Sequence, residues 1–127
     1  MSYDDDNIFA KILRGEIPNE TVYEDDHVLA FRDINPQAPT HVLVIPKGRY
    51  VSFDDFAENA SDAEIVAYTR AIGRVASAAG MAPHEGGDGF RIISNAGPHG
   101  VQEVPHLHVH VLGGRRMGRM VARPKDE

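Results

Sequence analysis

Cysteine and tryptophan are both absent from this chain of 127 residues. Without thiols there can be no disulfide, no thiolate zinc site and no cysteine nucleophile. The same absence suits a reducing cellular interior. No apolar run approaches the ~20 residues that a bilayer span requires. The N-terminus is acidic rather than basic-then-apolar, so it does not read as an export signal. The expectation is therefore a cytoplasmic protein with no membrane partner. Positive charge is also scarce, with 13 Lys and Arg against 19 Asp and Glu and a net charge of −6. That balance argues against nucleic acid as a partner, because its backbone needs a basic face. A small anion remains admissible, since a few backbone N–H groups can hold one phosphate locally.

What is present is ordinary for a folded globular chain: 42% hydrophobic and 25% charged residues. The length predicts a single domain over residues 1–127. A chain of this size buries roughly two-thirds of its unfolded surface and needs no covalent staple. Charge is uneven along it. Residues 1–6 read as an acidic tail, and residues 115–127, with Arg115, Arg116, Arg119, Arg123 and Lys125, as a basic one. Each tail is either solvated or in contact with a partner.

The periodicity predicts a short helix from Ile8 to Leu13, capped by Asn7 and stopped near Gly15. Thr21–Glu24 and Val28–Asp33 read as strands flanking the turn residues Asp25 and Asp26. Two prolines stiffen the loop Asn35–Pro39. The apolar run His41–Ile45 that follows suggests a central strand covered on both faces. A capping box, Ser61 with Glu64, opens a long helix running to about Ala79, with Ile65, Thr69, Ile72, Ala76 and Ala79 as its predicted stripe. Phe90–Ile93 is a further strand. Asn95–Gly100 is a turn-rich loop, and Pro105–Leu112 is the last strand. The expectation is an α+β fold of about five strands, mostly antiparallel, with one long and one short helix.

Alternation along that last strand sends His106, His108 and His110 to one face and Leu107, Val109 and Val111 to the other. The aliphatic set can pack beneath the long helix. Three imidazoles in a row, each with a pKa near ~6.5 in water, cannot all be charged together at neutral pH. A neutral imidazole can act as nucleophile, base or metal ligand. One reading is a metal site, with Glu103 or His41 as a third ligand. The other is nucleophilic attack at phosphorus, with neighbouring imidazoles orienting the nucleophile and neutralising phosphate charge. The loop Asn95–Gly100 has the make-up of a phosphate cradle. Asp33 could accept hydrogen bonds from a ribose or could cap a turn.

The string from Gln102 to Arg115, with His106-Leu107-His108-Val109-His110-Val111-Leu112 at its heart, resembles the signature of the histidine-triad family, and within it the Hint branch. Asn7–Ile12, Phe31–Ile34 and Pro36–Lys47 resemble Hint segments in the same order, so the likeness spans about residues 7 to 116. It implies a homodimer with the HIT-like α+β fold that cleaves a bond at the α-phosphate of a nucleotide. In that branch the substrates are purine nucleotides, with an AMP or GMP moiety, as phosphoramidates or aminoacyl adenylates. No metal or other cofactor is required. Position by position, His108 is then the nucleophile that becomes nucleotidylated. His110 contacts the phosphate, and His106 with His41 orients the nucleophile through a hydrogen-bond chain. Asp33 binds the ribose, and Ile8, Phe9, Ile12, Phe31 and Ile34 line the base pocket. Asn95 reaches the phosphate or leaving group.

The chain departs from the family's pattern in places. Val101-Gln102-Glu103 stands where many relatives have Gly-Gln-Ser, and Pro105 replaces an expected tyrosine. A carboxylate beside phosphate repels it, so Glu103 is expected to make the phosphate contact through its backbone N–H. The C-terminal tail lacks the tryptophan found in relatives whose tail helps select substrate. Other functions to weigh are a dinucleoside polyphosphate hydrolase of the same family, a nucleotide-binding module without catalysis, and a metal-binding protein.

Overall fold

The structure is a computed structural model describing residues 2–125. Three helices, α1 (Ile8–Leu13), α2 (Phe53–Asn59) and α3 (Asp62–Ala78), accompany five strands: β1 (Thr21–Glu24), β2 (Val28–Arg32), β3 (Thr40–Pro46), β4 (Phe90–Ile93) and β5 (Val109–Gly113). The strands form one antiparallel sheet in the order β1-β2-β3-β5-β4. Asp126 and Glu127, the end of the basic tail, and Met1 of the acidic one lie outside the described residues.

Local chemistry explains most boundaries. The Asn7 side chain accepts from the Ala10 N–H at 2.9 Å and so caps α1. At the other end Gly15, with φ of +78°, lets the Gly15 and Glu16 amides donate back to Ile12 and Lys11. α3 opens on the expected capping box, Ser61 and Glu64 bonding reciprocally. β1 and β2 are joined by a turn in which Asp25 Oδ1 accepts from the His27 and Val28 amides.

The sheet is covered on both sides, as the apolar run of β3 predicted. On one face Val28, Ala30, Val42, Val44, Val109 and Val111 pack against α3, with Leu107 from just before β5. On the other, Leu29, Phe31, Leu43 and Ile45 pack against Phe9 and Ile12 of α1. His41 and His110 share this second face, since they alternate with Val42 and with Val109 and Val111.

Three expectations need correction. α2 has no apolar stripe in the sequence to announce it. Only Phe56 is buried there, edge-on to Tyr50 and tilted against Tyr68. The buried face of α3 runs through Tyr68, Ala71, Val75 and Ala76, with Ile65 and Ile72 of the predicted stripe packed beside it, whereas Thr69 and Ala79 of that stripe are exposed. The helix is rotated because Tyr68 finds a backbone acceptor, its hydroxyl donating to the Val44 carbonyl at 2.6 Å, and because Ala71 permits close approach to the sheet. The last strand begins at Val109 rather than Pro105. β3 ends at Pro46, which has no N–H to extend the ladder, and the Leu107 amide donates to Tyr50 instead. His106 and His108 therefore sit on irregular backbone, yet the alternation of faces persists through them.

Candidate active site

The three triad histidines and His41 meet on the α1 side of the sheet. β3 and β5 bring His41 and His110 together, with His41 opposite Leu112 and His110 opposite Leu43. Their rings lie 5.1 Å apart, and those of His110 and His108 lie 5.2 Å apart. Phe9, from α1, stands edge-on to His108 at 4.9 Å and to His106 at 6.3 Å. His106, His41 and His108 are buried.

Burial dominates the titration of these groups. It pushes His106 down to about 4, outweighing the Pro46 carbonyl that favours its charged form. His110 is also brought to about 4, by burial first and then by repulsion from His108 and His41. Burial lowers His108, against the Pro46-like influence of the His106 carbonyl and the negative charges of Asp33 and Glu103. It lowers His41 too, against Asp33. All four imidazoles are accordingly neutral at pH 7, and each carries one proton.

Backbone partners decide where those protons sit. The Gln37 amide donates to His41 Nδ1 at 3.1 Å, so the His41 proton is on Nε2. That N–H donates to His110 Nδ1 at 2.9 Å, which leaves the His110 proton on its own Nε2. His108 is set the opposite way: its Nδ1–H donates to the His106 carbonyl at 2.8 Å, so its Nε2 carries a lone pair. Every buried side-chain nitrogen or oxygen among the described residues has a partner, so the unpaired Nε2 atoms of His108 and His110 are those that reach solvent. Two neighbouring imidazoles thus present a nucleophilic nitrogen and an N–H donor side by side.

The hydrogen-bond chain differs from the one the family resemblance implied. His41 pairs with His110 and not with His106. The His106 ring instead donates from Nε2 to the Pro46 carbonyl at 2.8 Å and accepts at Nδ1 from the Tyr3 hydroxyl at 2.6 Å. It is the main-chain carbonyl of His106 that reaches His108, a contact that side-chain spacing does not reveal.

Asp33 lies at the end of β2 with Oδ2 3.4 Å from His41 Nε2, while Oδ1 accepts from the Asn35 amide at 2.8 Å. It caps the turn and faces the site at once. Asp33, His41 and His110 offer ligand atoms within 4.8 Å of one another and so form a candidate metal group, one that does not include Glu103. Phe9, Ile12 and Phe31 are packed together in the core on the α1 side of the sheet, with Phe9 against the histidine rings, but Ile8 and Ile34 are 43% and 87% exposed. Asn95 is half-buried on the loop after β4, and Glu103 is exposed. Gln102, unassigned by sequence reasoning, organises that loop. Its carbonyl accepts from the Gly97 amide at 3.0 Å, and its amide donates to Val51 and Val104 carbonyls. Val101 beside it holds a left-handed φ of +58°.

A row of histidines, three of the four buried, thus sets a lone pair beside an N–H donor on one face of the sheet. The family model described as the HIT domain matches residues 14–117. The chain is 57% identical over 122 residues to an uncharacterised 13.2 kDa HIT-like protein of Azospirillum brasilense, covering 96% of this chain and 97% of that one. It is 46% identical over 121 residues to the purine nucleoside phosphoramidase of Escherichia coli, covering 93% and 95%. Among solved structures, a HIT family hydrolase from Legionella pneumophila superposes with a TM-score of 0.77 at 43% identity, covering 89% of this chain and 96% of its own. The chain belongs to the HIT-domain family and is one of its hydrolases.

Proposed function

We propose that the protein hydrolyses purine nucleotides substituted at the α-phosphate, of the phosphoramidate or aminoacyl-adenylate type, through a nucleotidyl intermediate on His108. The observation that carries this reading is the set of partners on the inner ring nitrogens, the His106 carbonyl against His108 Nδ1 and the Gln37–His41 chain against His110 Nδ1, from which the opposed protonation of the two rings follows. His108 Nε2 attacks phosphorus while the bond from phosphorus to the leaving nitrogen or oxygen breaks, the leaving group taking its proton from solvent. His110 Nε2–H donates to a phosphate oxygen as charge shifts there. Attack makes His108 a cation, and its Nδ1–H bond to the His106 carbonyl then strengthens. Water displaces His108 in a second step, releasing the nucleoside monophosphate and restoring the neutral ring.

Asp33 is assigned to the ribose hydroxyls. Phe9, Ile12 and Phe31 form the floor of the base site, with the exposed Ile8 and Ile34 at its rim. Asn95 and the Glu103 backbone amide are assigned to the phosphate and leaving group. The protein acts as a homodimer in this reading, supported by β4, a sheet edge that leaves Phe90, Ile92 and Ile93 between 37% and 52% exposed. No helix among the described residues is long and apolar enough to cross a membrane.

Incubation with adenosine phosphoramidate tests the reading, with a dinucleoside polyphosphate as the competing substrate. Release of AMP and ammonia, with nucleotide label recovered on His108 after rapid quenching, is the expected result. Faster turnover of the dinucleotide would move the protein to the other enzymatic branch. Binding without turnover of either would reduce it to a nucleotide-binding module.

A further inference from the structure

The acidic N-terminal segment is not a free tail. The Asp5 carboxylate forms a two-point ion pair with Arg49, with Oδ1 and Oδ2 each 2.9 Å from the guanidinium. The Asp5 carbonyl accepts from Arg14 at 2.8 Å, and the Asp4 carbonyl accepts from the Asn7 side chain at 2.7 Å. The Arg49 guanidinium also lies 5.0 Å from the centre of the Tyr3 ring. Residues 3–7 therefore form a strap, tied to both ends of α1 through Asn7 and Arg14 on one side and to the chain after β3 on the other. At its end the Tyr3 hydroxyl meets Nδ1 of His106, with the two rings 5.4 Å apart.

His106 is fully buried and both of its ring nitrogens are engaged, Nε2 by Pro46 and Nδ1 by Tyr3. Without the hydroxyl, Nδ1 becomes a buried acceptor with nothing to accept from, and the ring must turn or admit water. Any such movement tilts the His106 peptide, whose carbonyl holds the His108 proton. We propose that Tyr3, delivered by the Asp5–Arg49 clasp, is a positioning residue for the nucleophile: it locks His106 so that the His106 carbonyl keeps the lone pair of His108 on Nε2. Tyr3 makes no contact with substrate in this arrangement. The proposal rests on His108 being the nucleophile of the proposed hydrolysis.

The experiment compares wild type with Tyr3→Phe, which keeps the ring and deletes the hydroxyl, and with Asp5→Ala, which releases the clasp but leaves Tyr3 intact. Asp6→Ala, in the same segment but outside these contacts, is the control. Two readouts are taken: steady-state kinetics with adenosine phosphoramidate, and imidazole 15N spectra of the unliganded proteins. Tyr3→Phe is expected to lower kcat about tenfold, the value of one net hydrogen bond, with KM unchanged. Its spectrum should show the His106 Nδ1 signal moving toward that of a free imine nitrogen, and the His108 proton shared between Nδ1 and Nε2. Asp5→Ala should do the same more weakly, and Asp6→Ala should match wild type. Unchanged kcat, or a raised KM with constant kcat, overturns the positioning role, as does a His108 tautomer indifferent to Tyr3→Phe. If wild type turns over no nucleotide, the hydrolase reading fails, while the 15N spectra still decide whether Tyr3 sets the His108 tautomer.

Discussion

His41 Nε2 and His110 Nδ1 are 2.9 Å apart, and the proton between them belongs to His41. The Gln37 amide occupies the other His41 nitrogen, so a main-chain group within the proline-rich loop Asn35–Pro39 determines which His110 nitrogen keeps its proton. Removing the His41 ring is expected to free the His110 tautomer. His41→Ala should lower kcat by about one to two orders of magnitude, a loss on the scale of one buried, charge-directed donor. His41→Gln, whose amide can still donate toward His110, should lose less. Steady-state kinetics on the two variants checks the order.

His108 and His110 separate by the step they affect. His108→Ala is expected to abolish turnover and labelling together, because no other imidazole in the row has an open lone pair. His110→Ala keeps the nucleophile and loses a donor to the phosphate, which costs about 10²–10³ in kcat. Rapid-quench labelling followed by peptide mapping should find nucleotide on His108 in wild type and in the His110 variant, and none in His108→Ala.

Acid should spare activity longer than an ordinary histidine would allow. His108 is held below 6.5 chiefly by burial, so its lone pair survives as pH falls through 6.5. The kcat/KM profile should therefore stay level from neutrality to below pH 6.5 before it falls. An inflection at or above 6.5 would contradict the burial argument.

Stability carries the same sign. A buried histidine whose folded pKa is depressed binds its proton more readily when unfolded, so it contributes stability above pH 6.5 that is lost as pH drops toward the folded value. For His106, brought from 6.5 to about 4, that contribution is about 3 kcal/mol. Urea denaturation at pH 7, 5.5 and 4.5 should show a progressive loss of stability, and the loss should be smaller in His106→Asn.

Val101 is a strained residue. It is β-branched, its φ is +58°, and it is 69% exposed, so it holds a left-handed conformation without packing to compensate. Val101→Gly is expected to stabilise the fold by about 1 kcal/mol, the relief of left-handed strain less the added freedom of the unfolded chain. A raised thermal midpoint with unchanged kcat/KM is the expected result, measured by calorimetry and kinetics.

Zinc should inhibit rather than activate. Asp33, His41 and His110 could gather round a cation only if the His41–His110 hydrogen bond opened, and that bond fixes the His110 N–H that the proposed mechanism assigns to the phosphate. Turnover is expected to survive a chelator and to fall on addition of micromolar zinc, with Asp33→Asn blunting the inhibition. Loss of turnover in chelator would instead support metal chemistry.

The legible part of this molecule lies in short-range pattern. The caps at Asn7 and Ser61, the strands Thr21–Glu24 and Phe90–Ile93, and the doubly covered run of β3 follow from local hydrogen bonding and from the period of apolar residues. The period of two also separated the three histidines from Leu107, Val109 and Val111, and that separation holds. α2 escaped because one phenylalanine, Phe56, carries its packing, and no periodicity can be read from one residue. The α3 stripe is right at Ile65, Ile72 and Ala76 but omits Tyr68, which reads as half-polar until a carbonyl is found for its hydroxyl.

The order of residues was enough to put the three imidazoles on one side of the chain, since alternation is a property of extended backbone and needs no partner. Where each imidazole keeps its proton is a different kind of fact. It depends on the Gln37 amide, the His106 and Pro46 carbonyls and the Tyr3 hydroxyl, and the last of these comes from 103 positions away. A hydrogen bond forms between groups brought within about 3 Å by the packing of the whole sheet against α1 and α3, and separation along the chain carries no trace of it. The acidic opening segment, readable only as charge, became part of the site because folding carried Tyr3 to His106.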